Sequence, residues 1–238
     1  MRVSDKAIVL QAIRHGDKKF IVKLFTEKNG LVTVIAAAGK SPTNKVRSAT
    51  LLPLSLINCE YTLKQNRELH QLTESSFYFV GKGFSDSISK LSIAQFLNEV
   101  LVNCIRDHAP NGPLFSLSET CLKYLQEAEN DYVNLHLYFL LEMSKHLGFE
   151  PHNNRSENNC YFDCRDGNFV AQAMAFPLGL NKEDSSFFSA CLNQSVLKAS
   201  FNYQQRKLLL DILLAYYKLH LPGFNDIKSL EVLRVLNN

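Results

Sequence analysis

Cys160 and Cys164 are the closest-spaced cysteines of the chain, and a C-x3-C in a polar stretch is how half of a zinc site begins. A structural zinc site needs four ligands. At plausible spacing downstream stand Ala171, Ala173 and Met174; His152 is the nearest imidazole, and Cys191 lies far along the chain. The pair is therefore expected to bind no metal, and no cofactor is expected. Cys59, Cys104, Cys121 and Cys191 read as small buried hydrophobes. Gly39-Lys40-Ser41 ends like a phosphate-binding loop, but Val34 occupies the place of the required first glycine. The histidines form no H-E-x-x-H, and no G-x-S-x-G elbow is present. His136 falls in an apolar helical stretch and reads as a core residue, and His146 sits favourably near a helix end. A hydrolase built on Cys160, Cys164 and His152 would lack a fourth ligand and a general base. No catalytic constellation emerges, and the chain is not expected to be an enzyme.

Charge is more informative. Residues 1–80 hold 12 Lys or Arg against 6 Asp or Glu, a net of +6; the remainder holds 14 against 17, a net of −3. The formal total of +3 hides a basic third on a mildly acidic body. The cations in question are Arg14, Lys18, Lys19, Lys23, Lys40, Lys45, Arg47, Lys64 and Arg67, several of them in turns and in the loop at 40–47. Phe25 and Tyr61 are candidate stacking rings. Cations that track phosphates, with aromatic faces for bases, are what single-stranded nucleic acid binding needs. A solvated basic surface, or a module that binds a partner protein, is the competing reading.

These residues must be positioned by elements that the pattern predicts. Strands are expected at 7–13, 20–25, 31–35, 51–63 and 69–73, with the Asn29-Gly30 dipeptide as a hairpin turn. Five short strands in this length close most economically as a Greek-key barrel of the OB type. From about residue 85 the apolar period becomes helical. Helices are expected at 88–105, 114–128, 131–147, 203–220 and 229–236, the fourth opened by an Asn202/Gln205 capping box. The polar 153–166 and the following 168–176 read as an irregular insert, placed at about 152–176. The fold class is thus α+β: an OB-fold at 1–80, then a helical domain at 81–238 carrying the insert. No stretch is long and apolar enough to cross a bilayer, and the start has no signal-peptide core, so a cytoplasmic protein is expected.

Several runs resemble those of a known family. They are Ala7-Ile8-Val9-Leu10, Phe25-Thr26-Glu27-Lys28-Asn29-Gly30-Leu31, Gly39-Lys40-Ser41 and Leu52-Pro53-Leu54. Leu147-Gly148-Phe149-Glu150-Pro151 follows, then the cysteine-bearing insert, Leu219-His220-Leu221 and Lys228-Ser229-Leu230-Glu231-Val232-Leu233. In order and spacing these resemble the bacterial recombination mediators of the RecO family, over nearly the whole chain. The resemblance implies an OB-fold followed by a helical domain, and a nucleoid-associated protein that binds single- and double-stranded DNA. It implies annealing of complementary strands, and help in loading the RecA recombinase on DNA coated by single-strand-binding protein (SSB). RecR, and in many bacteria RecF, are the implied partners. The barrel cations fall where the family's DNA surface should lie. The helical domain is implied to bind the acidic C-terminal tail of SSB; Lys123, Arg206 and Lys207 are candidate cations for it. Some members hold zinc with two C-x2-C pairs, whereas this chain has only Cys160 and Cys164.

Overall fold

In the computed structural model, residues 1–17, 19–37, 39, 45–63, 68–84, 87–105 and 109–236 are described. They form two compact units: Met1–Asp86 with Asn98–Glu127, and Ser87–Leu97 with Ala128–Asn238.

The first unit is built on β1 (Arg2–His15), β2 (Lys19–Thr26), β3 (Gly30–Ala37), β4 (Leu56–Thr62) and β5 (Leu69–Phe79). They close in the order β1-β2-β3-β5-β4, with β4 back on β1. The β3–β5 pair is parallel and the others antiparallel, which is the OB arrangement. Alternation along the strands sends Val9, Val22, Leu24, Val32, Val34, Cys59, Tyr61 and Leu72 into the barrel core. The β2–β3 turn closes as the Asn29-Gly30 pair predicts: Gly30 takes φ +61, the left-handed region where glycine escapes the Cβ penalty. The buried Asp5 of β1 accepts hydrogen bonds from the Lys28 backbone N (3.2 Å) and Asn29 Nδ2 (2.9 Å), tying that turn to its neighbour strand. The outer side of β2 near its end is covered by α2 (Gly112–Glu127), where Phe25 meets Phe115 edge-on at 5.4 Å.

The expected strand at 51–63 is shorter. A 3-10 turn, Ser48–Leu51, precedes β4, because Pro53 and the left-handed Leu54 (φ +66) interrupt the extended run. β1 and β5 run well past their expected ends, since cross-strand pairing carries the polar residues there.

The second unit contains α3 (Leu135–His146), α4 (Lys182–Leu192), α5 (Tyr203–His220) and α6 (Leu230–Leu236), while α1 (Ile88–Cys104) belongs to both. The Asn202/Gln205 capping box opens α5 with both reciprocal bonds present. Tyr217 on α5 donates to Leu140 O of α3 at 2.7 Å, so a buried hydroxyl is satisfied where the two helices pack. The segment expected to be irregular is partly ordered as a hairpin of β6 (Tyr161–Asp163) and β7 (Asn168–Val170). Phe162 and Phe169 pack there at 5.1 Å, and Phe162 meets Phe188 of α4 at 4.7 Å. Among the described residues no helix is long and apolar enough to cross a membrane.

Candidate nucleic-acid interface

The strand register builds a three-row face on the outside of β1, β2 and β3. Directly paired residues share a side, so one row is His15, Lys19 and Ala37. The next is Ile13, Ile21 and Ile35, continued on β5 by Gln71. The third is Gln11, Lys23 and Thr33, continued by Leu69. The row beyond it, Ile8, Phe25 and Leu31, is where α2 lies, so the open face ends at Lys23. Lys19 and Ile13 are exposed, while Ile21, Lys23 and Ile35 are half-buried. No residue in the three rows is acidic. A surface with cations and no facing carboxylate attracts a polyanion with nothing to displace.

The candidate cations divide between this face and other places. Lys19 and Lys23 stand on it. Arg14 braces the adjoining turn, donating from Nε to Gly16 O (3.3 Å) and from Nη2 to Asp17 O (3.2 Å). Both acceptors are neutral, so its charge is retained. Arg47 is exposed and its backbone bridges to Gly39, two residues past the end of β3. Lys45 behaves differently. Its Nζ lies 3.9 Å from Glu74 of β5, which also faces Arg2 at 3.9 Å and sits opposite Glu60 in the register. Lys45 therefore serves a carboxylate cluster on the β4–β5 side. Lys18, Lys40, Lys64 and Arg67 lie outside the described residues.

The expected stacking rings are not on the surface. Tyr61 is fully buried in the barrel core, and Phe25 is 1% exposed against Phe115. Alternation turns Tyr61 into the core, whereas Phe25 stands on the outer side and is covered by Phe115 of α2. What sequence reasoning missed is the aliphatic row. Its signal is the parity of β2, where Lys19, Ile21 and Lys23 alternate with the core residues Val22 and Leu24.

The remaining candidates fall in different units. Lys123, on α2, is paired with Glu119 at 2.8 Å and lies over the rings of Tyr78 (5.4 Å) and Phe79 (5.5 Å). Arg206 and Lys207, on α5, line a slot of only about 10 Å³ with His136, Tyr203, Leu210, Leu233 and Arg234. Arg206 donates to Phe201 O, and Arg234 pairs with Asp211. Burial, reinforced by the Arg206 charge, pushes the His136 imidazole down to about 3, so it stays neutral at physiological pH.

Cys164 is fully buried, and its thiol is pushed up to about 12 by desolvation and then by the neighbouring Asp163 charge. A zinc ligand must be a thiolate. Its carbonyl meanwhile accepts from His220 Nε2 at 2.9 Å, and Cys160 is half-buried. Among the described residues no three His, Cys, Asp or Glu gather as a metal cluster.

Two family models cover most of the chain: recombination protein O N terminal matches residues 1–78, and recombination protein O C terminal matches residues 85–231. Among curated relatives, a protein of Phocaeicola vulgatus named DNA repair protein RecO is 30% identical over 232 residues, 96% of each chain. One of the same name from Azobacteroides pseudotrichonymphae is 30% identical over 236 residues, 98% of each. Another from Flavobacterium johnsoniae is 31% identical over 240 residues, again 98% of each.

Proposed function

The chain belongs to the RecO family, and from that premise we propose that it is a DNA-binding recombination mediator acting in DNA repair. It binds single- and double-stranded DNA, anneals complementary strands, and helps RecA load on SSB-coated DNA with RecR, the partner that in many bacteria is joined by RecF. It breaks no covalent bond. The observation that carries this reading is the open face of β1–β2–β3, where Lys19 and Lys23 stand in rows without a carboxylate. The face of strands 2 and 3 is where OB barrels take oligonucleotides. The mechanism follows from charge. Two strands that must pair repel through their phosphates, and cations that neutralise those phosphates lower the repulsion.

In the helical unit, Arg206 and Lys207 at the α5 slot are the candidate cations for the acidic tail of SSB. At its rim these cations would meet the tail's carboxylates.

The test is strand annealing. Two complementary oligonucleotides are coated with the cognate SSB and mixed with and without this protein at two salt concentrations. Faster annealing that fades as salt rises is the expected result. No acceleration by folded protein overturns the mediator reading. If the barrel instead serves a partner protein, an acidic peptide binds and single-stranded DNA does not.

A further inference from the structure

The three-row face carries cations but none of the large rings on which strand-binding barrels stack bases. Among its described residues the one ring is the His15 imidazole, at the turn end. The other barrel rings are engaged elsewhere. Phe20 and Phe77 pack against the core, Tyr61 lies inside it, and Phe25 sits on Phe115. Tyr78 lies between Lys6 (5.2 Å) and Lys123 (5.4 Å), and Phe79 also faces Lys123. The flanking segments 40–44 and 64–67 contain no aromatic residue in the sequence. In place of rings stand Ile13, Ile21 and Ile35, in register across three strands and set between the Lys19 and Lys23 rows. Ile13 is 52% exposed, so the row is open at its β1 end.

This arrangement has a consequence for a bound strand. Base–aromatic stacking strengthens single-strand binding by about 5- to 150-fold per base. It also occupies the base's π-face, and that contact must break before the base can pair and stack in a duplex. β-branched isoleucines are stiff at χ1 and offer an apolar ridge without a π-face. Resting on the reading of this face as the strand surface, we propose that the Ile13–Ile21–Ile35 row is a deliberately non-stacking platform. The lysine rows grip phosphates, the isoleucines meet sugar and base edges, and the bases stay free to find a complement. The row thus favours annealing over sequestration and is the feature that sets which of the two the barrel performs.

The experiment uses the full chain with Ile21→Tyr and, separately, Ile35→Tyr, both ring substitutions that suit a strand. Thermal melting checks that each variant is folded. A Lys19→Ala/Lys23→Ala variant runs beside them. The probe is an oligo-dT carrying one 2-aminopurine, whose fluorescence falls on stacking. In the native complex the probe is expected to remain bright. In each Tyr variant it is quenched, binding tightens by at least about fivefold, and annealing slows. A probe already quenched in the native complex overturns the proposal. So does tighter binding with undiminished annealing. Unchanged binding in both Tyr variants, with binding lost in the lysine variant, removes the row's role and leaves the strand surface standing. Undiminished binding in the lysine variant removes the strand surface itself.

Discussion

Lys19 and Lys23 are expected to dominate the salt dependence of DNA binding, and Lys45 to contribute less than its exposure suggests. Each lysine that neutralises a phosphate of single-stranded DNA adds about 0.7 to the fall of log K with log salt. Lys19 and Lys23 face no carboxylate in their rows, so both deliver their full charge. Lys19→Ala/Lys23→Ala is therefore expected to lower the slope by about 1.4. Over a fourfold rise in salt, the native protein then loses about sevenfold more affinity than the variant. Lys45 is 72% exposed, yet its ammonium has the Glu74 carboxylate 3.9 Å away. That carboxylate already acts as its counter-ion, so Lys45→Ala is expected to change the slope by less than about 0.7. Fluorescence anisotropy with a labelled oligo-dT, titrated at salt from about 50 to about 200 mM, measures all three slopes. An unchanged slope in the double variant, or a larger change for Lys45→Ala than for the pair, refutes the assignment of the face.

Two further predictions concern the helical unit. His136 titrates near its ordinary 6.5 when unfolded but at about 3 when buried, so the unfolded chain binds the extra proton between those values. Its contribution to stability is constant above pH 6.5 and declines as pH falls towards 3, by up to about 1.4 kcal/mol per pH unit. His136→Leu is expected to make the acid limb of a urea-stability profile shallower; an identical limb contradicts the burial argument. Gly167 has φ +68, and a Cβ there would lie 2.4 Å from the Tyr216 hydroxyl, which itself donates to Phe149 O at 2.9 Å. Gly167→Ala is expected to cost about 1–3 kcal/mol and more than Gly16→Ala, where φ is +72 but nothing stands within 4 Å. Equal losses in thermal melting would show that the Tyr216 contact carries no weight.

The elements most legible in the sequence are those with a local chemical signal. Asn29-Gly30 announces the β2–β3 turn, and the Asn202/Gln205 box announces α5, with both bonds in place. The five-strand count points to the OB closure. α4 was not legible by periodicity, because Lys182–Leu192 opens with five polar residues and bunches its apolar ones in the second half. Its signal was the N-cap: Asn181 Oδ1 accepts from Asp184 N at 2.8 Å. The β6–β7 strands are three residues each, too short for any period to register. The candidate site shows the same division. That the barrel is basic can be read from composition, but which cations act together depends on register. Register set Lys19 and Lys23 on one face on either side of the isoleucine row, gave Lys45 to Glu74, turned Tyr61 inward and put Phe25 on the outer side under Phe115. Pairings between distant strands decide these outcomes, and no local pattern encodes them.

The most direct test of the central claim is a map of backbone amide shifts on titrating the full-length protein with oligo-dT. The account predicts that the shifts concentrate on Lys19 to Lys23, on Thr33 to Ala37 and on the end of β1 at Ile13 to His15, while Glu60 and Glu74 stay still. Shifts centred on the Glu60 and Glu74 side, with the β2–β3 face silent, would contradict it.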